Sequence, residues 1–290
     1  MSEYIEPKEK PRKLPNLPDD FSKSQEFCQL IDKLDRFRSN IASSEFFAES
    51  KRIIQFPKTV EDTESDNSKG ITTIRCLALG SPTESRNALY QLAYLMELAA
   101  YLLIDQVSIY DPVFNEKDVY LFEKHLSYVV EAEKPTNFKD TETLYFLPHA
   151  PLELTDILIK EEKPLFLLSN DVVSHTDRYT KQKLFETFPV ISYLVSLSQS
   201  PKYPGSNDKV EDEEEFVVVQ PKKNNRKNKN LFHEPVIDYS KLDCYFDQAQ
   251  VMKFTSNFRK NDDWGNSFSD LAFHVLHQKS LKSLHPDIHN

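Results

Sequence analysis

Polar residues that could bind a small molecule follow four of the predicted strands. Gly80 and Ser81 follow the first strand, Asp111 the second, His149 the fourth and Asn170 the fifth. Because ligands of open parallel sheets bind beyond the carboxyl ends of the strands, we expect these residues to line one space, which we call the strand-end crevice. Backbone amide, hydroxyl, carboxylate, imidazole and carboxamide groups together suit recognition by hydrogen bonds. The sequence therefore predicts a ligand site at this edge of the sheet.

The turn after the first strand has the residue types of a helix start. Gly80 permits a tight turn, Ser81 is predicted to be the N-cap, Pro82 fits the first helical turn and Glu84 would close a capping box. The amides of such a helix start could hold an anion, including a phosphate. A single glycine does not make the G-x-G-x-x-G motif of dinucleotide-binding proteins. The alternative is therefore that Gly80 and Ser81 only form and cap the turn.

Asp111 lies 31 positions after Gly80, where proteins that bind nucleotides or methyl donors often place an acid against a ribose. Asp111 precedes Pro112, and it could equally form a turn and cap neighbouring amides. Asn170 could likewise bind a ligand or cap its turn.

His149 follows Pro148 at the expected start of a helix, which favours neutral imidazole. A neutral histidine there could be a base, a hydrogen-bond donor or a single haem or metal ligand, and it is the best candidate for a catalytic residue. The alternative is a packed, hydrogen-bonded histidine, since no nucleophile or metal ligand lies at a motif spacing from it.

Composition excludes several classes of function. The three cysteines, Cys28, Cys76 and Cys244, are far apart and in no zinc-binding spacing, so no metal site is predicted. The net charge of −10 argues against a nucleic-acid surface. The basic run 222–227 could be a nuclear address or touch RNA, but a solvated linker explains it equally. No run approaches the roughly 18 apolar residues of a membrane span. We therefore expect a protein of the cytoplasm, or of the cytoplasm and the nucleus, without membrane contact.

Hydrophobic spacing and charge runs divide the chain into five parts. Proline-rich residues 1–20 predict a flexible tail, and residues 21–56 an N-terminal helical segment. Residues 71–200 alternate predicted strands and helices and form an α/β core. Opposed charge blocks in 201–230 predict a disordered insertion, after which strands within 231–290 would complete the sheet.

The sheet is predicted from seven apolar runs, five in the α/β core and two in residues 231–290, and from the helical periods between them. Alternating strands and helices favour a parallel sheet covered on both faces, so we predict a doubly wound, mainly parallel Rossmann-like fold with the N-terminal helical layer beside it. The predicted strands are 71–79, 107–110, 128–130, 144–147, 165–168, 251–255 and 271–276.

Several multi-residue blocks, in this order and spacing, resemble the SRR-like (sensitivity to red light reduced) family. A looser resemblance covers residues 266–274, and Ala150 stands where the family often has a cysteine, so no role that needs a thiol beside His149 is expected. The blocks are Cys76-Leu77-Ala78-Leu79-Gly80-Ser81, Tyr90-Gln91-Leu92-Ala93, Tyr110-Asp111-Pro112-Val113-Phe114, Thr143-Leu144-Tyr145-Phe146-Leu147-Pro148-His149-Ala150-Pro151 and Leu168-Ser169-Asn170.

The resemblance implies a regulatory role rather than a known chemistry. Plant members are associated with red-light signalling and the circadian clock, fungal members with microtubule-related phenotypes, and animal members with regulation of haem biosynthesis. The insertion and tail are rich in lysine, asparagine and serine, which is similar to yeast proteins and points to the fungal, benomyl-resistance branch. We therefore expect an intracellular regulator, without turnover, that binds a small molecule or a protein partner in the strand-end crevice.

Two alternatives use the same crevice. One is a methyltransferase-like or nucleotide-dependent enzyme, in which Gly80 and Ser81 line S-adenosylmethionine or a nucleotide, Asp111 binds the ribose and His149 lies nearest the chemistry. The other is a haem-responsive regulator with His149 as the axial ligand.

Overall fold

Within the described part of the chain, seven strands form one sheet. A computed structural model describes residues 17, 20–55, 70–132, 140–199, 236–255 and 263–279. The strands are β1 (Thr73–Leu77), β2 (Gln106–Tyr110), β3 (Val129–Val130), β4 (Thr143–Leu147), β5 (Phe166–Asn170), β6 (Phe246–Lys253) and β7 (Leu271–Gln278).

The strand order is β3-β2-β1-β4-β5-β7-β6. Each neighbouring pair from β3 to β5 is parallel, whereas β7 is antiparallel to both β5 and β6. It follows that β6 runs in the same direction as β1 to β5, and that β7 alone is reversed. The predicted fold class, a mainly parallel Rossmann-like sheet flanked by helices, is confirmed.

Helices cover both faces of the sheet. None of those in the described residues is long and apolar enough to cross a membrane. They are α1 (Gln25–Ala42), α2 (Glu45–Ile53), α3 (Arg86–Leu102), α4 (Glu116–Tyr120), which continues into a π-helical turn (Leu121–His125), α5 (Leu152–Glu162), α6 (Val172–Thr176), α7 (Lys181–Thr187) and α8 (Pro189–Ser198).

Alternate residues of the central strands supply two separate cores. Ile74 and Cys76 of β1 point into a core formed with α1, α2 and α3, whereas Leu77 belongs to a second core with α5 to α8. The reason is the two-residue period of a strand, which sends neighbouring side chains to opposite faces. Helix α3 is buried almost all round because it lies between the sheet and the N-terminal helices.

The N-terminal helical layer fixes the chain that leads into β7. Phe46 of α2 packs against Phe268, with ring centroids 4.9 Å apart, and against Phe254 at 5.4 Å. The buried carboxylate of Glu49 accepts hydrogen bonds from the amide of Thr255 at 3.0 Å and from its hydroxyl at 2.7 Å. These contacts position residues 263–270 at the carboxyl edge of the sheet.

Two predicted parts of the chain lie outside the described residues. They are the flexible tail, apart from Leu17 and Asp20, and the whole of the charged insertion 201–230. Helices α6 to α8 were not anticipated from the sequence. They extend the second core through Val172, Leu184 and Leu194.

Candidate functional site

The strand-end crevice lies where β1 and β4 are neighbours. The helix that follows β1, α3, packs on one face of the sheet, and the helix that follows β4, α5, packs on the other. The chain therefore leaves the two strand ends in opposite directions, which opens a crevice between them. The start of β7 reaches the same edge because β7 is antiparallel.

The turn after β1 contains two left-handed residues. Gly80 has φ of +77°, which costs a glycine nothing, while Ala78 has φ of +56°, an unusual value for a residue with a Cβ. A left-handed alanine costs about 1–2 kcal/mol relative to ordinary backbone. The backbone at 78 and 80 thus follows the course of a Gly-x-Gly turn with only one glycine.

Asp111 ties this turn to the one that follows β2. Its carboxylate accepts hydrogen bonds from the amide of Gly80 at 2.8 Å and from the amide of Val113 at 3.0 Å. Asp111 is buried. The sequence offered this capping of neighbouring amides as the alternative role of Asp111, because Asp111 precedes Pro112.

Ser81 does not begin the helix, so the predicted N-cap is wrong. Helix α3 starts five residues later, and the side chain of Ser85 caps it by accepting from the amide of Ala88. A separate turn precedes it, in which the carboxylate of Asp118 accepts from both the amide and the hydroxyl of Thr83, at 3.0 and 2.8 Å. Protein carboxylates therefore occupy the amides of Gly80 and Thr83, at the turn where an anion was one of the two sequence-based alternatives.

The predicted residues fall into two groups. Gly80 and Asp111 are in direct contact, and Ser81 lies beside them in a network that Asn115 completes at 3.4 Å. We call the second set the Gln91 group. It contains the predicted residues His149 and Asn170 together with Gln91, Ala150 and Ser267, which were not predicted as site residues.

Gln91 connects the β4 turn with the segment before β7. Its Nε2 lies 2.6 Å from His149 Nε2 and donates to the Ser267 carbonyl at 2.8 Å. Because a carbonyl can only accept, the nitrogen of the carboxamide must face Ser267, and its second proton then points at His149. We therefore assign His149 Nε2 as an acceptor and place the imidazole proton on Nδ1.

The electrostatic surroundings support a neutral His149. The residue is exposed, but desolvation by the surrounding protein lowers the pKa of its imidazole. The carboxylate of Asp270 acts in the opposite direction without overcoming this effect. His149 can therefore offer a hydrogen-bond donor through Nδ1, whereas its Nε2 is engaged by Gln91.

Two buried acceptor oxygens belong to the Gln91 group. Asn170 donates from Nδ2 to the Ala150 carbonyl at 3.1 Å, but its Oδ1 has no hydrogen-bond partner among the described residues. The same holds for Oε1 of Gln91, whose side chain is fully buried. Since the large majority of buried side-chain polar atoms in proteins are paired, two unpaired acceptors in one group require an explanation.

Charged residues that the sequence did not single out lie beside this group. Lys253 Nζ is 2.6 Å from Asp171 Oδ2, and His175 Nε2 is 2.6 Å from Asp270 Oδ2. Burial raises the pKa of the Asp171 carboxyl, but hydrogen bonds from Lys253 and Ser174 outweigh it and hold this pKa below its ordinary value. The looser resemblance over residues 266–274 was the signal that could have identified Asp270.

A second cleft lies outside the strand-end crevice, next to the Ser81 network. Its volume is about 320 Å³, and it combines acidic side chains with one lysine, which pairs with Glu26. In the described residues no group of three side chains could hold a metal ion. The cleft is lined by Leu17, Thr83, Glu84, Asn115, Glu116 and Lys117.

Comparison with known proteins places these residues in a shared domain. A family model of the SRR1 domain matches residues 34–275, which include every residue of the Gln91 group. An SRR1-like protein of Drosophila melanogaster is 27% identical over 166 residues, an alignment that covers 48% of this chain and 60% of that protein. The chain thus spans less than two thirds of that relative's length. No solved structure matches the chain.

Proposed function

Since this chain belongs to the SRR1 domain family, we propose that it is a regulatory protein that binds a small molecule in the strand-end crevice. The observation that carries the proposal is the pair of buried, unpaired acceptors, Gln91 Oε1 and Asn170 Oδ1. Their side chains contact adjacent residues, His149 and Ala150. Both oxygens are closed to solvent in the ligand-free chain, so a ligand with hydrogen-bond donors would complete them only after the side chains around them move.

Energetics favour a bound ligand at this place. A buried acceptor left without a donor costs about 1–3 kcal/mol, so the pair carries a cost that a donor-bearing molecule would relieve. His149 adds a hydrogen-bond donor, the N–H at Nδ1, to these two acceptors. A complementary ligand would therefore donate to two oxygens and accept from one imidazole N–H.

The same geometry favours binding over turnover. Asp111 is committed to two backbone amides, and His149 Nε2 is committed to Gln91. Neither group is therefore placed to accept a proton from a substrate without breaking a contact that holds the turns together. A regulatory output through a protein partner agrees with the associations that the family resemblance implies.

A ligand screen on the full chain tests this function. Thermal unfolding would be followed with S-adenosylmethionine, S-adenosylhomocysteine, adenine and nicotinamide nucleotides and haem, because a ligand of the native state raises the midpoint by mass action. At least one compound should stabilise the wild type but not Gln91→Leu. Equal stabilisation of both proteins would place the site elsewhere, and stabilisation by none would reject the proposal.

In fungi we propose that the regulated process is related to microtubules. The proposal depends on the family resemblance and extends the ligand site to a cellular output. In a fungal strain without its own family member, the wild-type chain should restore normal growth on benomyl and Gln91→Leu should not. Equal rescue by both proteins at equal abundance would separate the process from the crevice.

A methyltransferase-like enzyme is the second candidate, and the strand order favours it. The order 3-2-1-4-5-6 is that of nucleotide-binding sheets. Insertion of one antiparallel strand before the last, as β7 is inserted here, is the arrangement of many S-adenosylmethionine-dependent methyltransferases. This candidate predicts transfer of a labelled methyl group from S-adenosylmethionine to a component of cell extract. Tight binding without any transfer would favour the regulatory role.

The hypothesis of a haem-responsive regulator receives less support from the geometry. Nε2 is the histidine nitrogen that usually ligates haem iron. In His149 this nitrogen lies 2.6 Å from Nε2 of the Gln91 carboxamide. Haem ligation would require this contact to break. If haem is the ligand, His149→Ala should abolish a Soret shift that the wild type shows on haem addition.

A further inference from the structure

We propose that β6 is the contact surface of a two-fold dimer, in which the edge strands of two copies of this chain pair antiparallel and join their sheets. The inference goes beyond the ligand-binding function proposed above and does not depend on it. Three features of the described residues support it: the edge position of β6, the placement of its charges and the composition of α8 beside it.

The first feature is the position of β6. It is the last strand of the sheet, and no strand of the described residues lies on its outer side. Over the eight residues Phe246–Lys253 it offers a row of backbone groups to a second strand. It contains no proline or glycine, and its pairing with β7 is interrupted only by a bulge between Phe246 and Gln248. The strand at the opposite edge, β3, has only two residues. The longer edge of the sheet is therefore β6.

The second feature is the placement of charge along β6. Charged residues on an edge strand normally oppose pairing with another chain. Here there are only two, Asp247 near the start and Lys253 at the end, with five uncharged residues between them. Antiparallel pairing centred on Gln250 brings Asp247 of each copy opposite Lys253 of the other.

This charge pattern also selects the register. Shifting the paired strands by two residues in either direction would leave both charges opposite uncharged residues. Opposite charges stabilise a cross-strand pair, whereas like charges destabilise it. The edge of β6 is therefore complementary to itself in one antiparallel register, which commits the surface to a second copy of this chain.

Lys253 has a hydrogen-bond donor left for this contact. Its ammonium group has three N–H donors, and within the described residues it contacts Asp171 Oδ2 at 2.6 Å and Ser174 Oγ at 2.9 Å. The side chain is 52% exposed, and Asp247 is exposed as well. The carboxylate of Asp247 from the second copy would accept the third hydrogen bond. The dimer contact would thus reach the charged residues beside the Gln91 group.

The third feature is the composition of α8. This helix packs against β6, where the rings of Tyr193 and Phe246 lie with their centroids 5.6 Å apart. It contains no charged residue, although residues 195–198 are only half-buried. A helix whose outer face lies in water usually carries charged residues there. A two-fold axis perpendicular to the sheet would keep α8 of both copies on one face, beside the joined strands. Depletion of charge is typical of the centre of a protein interface.

A matched set of variants at the two-fold axis tests the dimer. Gln250→Lys and Gln250→Glu each place like charges opposite one another, so each should raise the dimer dissociation constant at least about fivefold in sedimentation equilibrium of the full chain. An equal mixture of the two variants places a lysine opposite a glutamate and should restore the dimer, which also shows that both variants fold. Gln106→Lys adds the same charge at an exposed position of β2 and should leave the dimer unchanged.

A cross-link tests the register. Directly opposite residues of an antiparallel pair have Cα atoms about 4.5–5.5 Å apart, which is within the range of a disulfide. Gln250→Cys should therefore give a covalent dimer on mild oxidation, whereas Gln106→Cys should not. Both variants are made together with Cys28→Ser, because Cys28 is exposed and could form other cross-links.

Two results would overturn the inference: a wild-type chain that stays monomeric, and a dimer that neither Gln250→Lys nor Gln250→Glu weakens. In a monomer, hydrogen exchange of the β6 amides gives the reason. Protected amides would mean that another part of the chain covers this edge, and unprotected amides would mean that the edge stays open. Either result rejects the dimer and leaves the proposed ligand-binding function untouched.

Discussion

Replacing Gln91 by leucine should change the stability of the ligand-free protein far less than its lost contacts suggest. The substitution removes two hydrogen bonds, to the Ser267 carbonyl at 2.8 Å and to His149 Nε2 at 2.6 Å. Leucine leaves the carbonyl of buried Ser267 without this donor, at a cost of about 1–3 kcal/mol, and the contact with exposed His149 adds about 1 kcal/mol, so these losses amount to roughly 2–4 kcal/mol. The substitution also removes the buried Oε1, which has no partner among the described residues and costs about 1–3 kcal/mol.

The two effects nearly cancel, so the free energy of unfolding of Gln91→Leu should lie within about 1 kcal/mol of the wild type. Urea denaturation of the full chain without ligand measures this difference. Tyr94→Phe is a suitable control, because it lies on the same helix and its buried hydroxyl is satisfied by Ser50 at 3.1 Å. The control should lose about 1 kcal/mol. A loss of 3 kcal/mol or more in Gln91→Leu would show that Oε1 is paired in the native protein and would refute the reasoning.

Three further predictions concern the structure around the site. Phe46→Ala should cost about 3–5 kcal/mol in urea denaturation and speed hydrogen exchange in residues 263–268; unchanged exchange there would contradict the positioning role of α2. Glu49→Gln should cost about 1–3 kcal/mol, because an amide nitrogen then faces the Thr255 amide; a neutral effect would argue against that contact. Burial lowers the pKa of His274 to about 4 from its usual 6.5. The unfolded chain therefore takes up the proton first, and about 3 kcal/mol of stability present above pH 6.5 is lost as pH falls towards 4. The loss should be smaller in His274→Phe, and an identical pH profile in both proteins would contradict it.

The sheet was predictable because its strands are buried on both faces. Continuous apolar runs such as 144–147 and 165–168 predict strands of this kind, and the helical periods between them require parallel pairing. The pairing of β7 with β5 was not predictable, since an antiparallel strand inserted between β5 and β6 has no local signal. Helices α6 to α8 are short and separated by turns, so no sustained period marks them.

The start of α3 shows where local signals compete. Ser81 and Ser85 are both acceptable caps, and the Pro82 and Glu84 pattern favours the former. The structure selects Ser85, because Asp118, more than thirty positions further along the chain, takes the amide of Thr83 and holds a separate turn. A contact at that separation cannot be derived from residues 80–85.

Part of the candidate site was predictable from the sheet topology. Strand ends identified Gly80, Asp111, His149 and Asn170, because the topology alone places them at one edge. The role of Gln91 was hidden, since it lies within an apolar helix and its partner Ser267 is 176 positions away.

The most direct test of the ligand site is the response of the Gln91 and Asn170 side-chain amide signals in an NMR titration of the full chain with the compound that raises its thermal midpoint most. Saturable shifts are expected in both side-chain amides and in the backbone of residues 78–81 and 148–151. In Gln91→Leu, which lacks the Gln91 signal, the same compound should shift the remaining signals little. Shifts confined to the cleft formed by Thr83, Asn115 and Lys117, or no saturable shift in either side-chain amide, would contradict it.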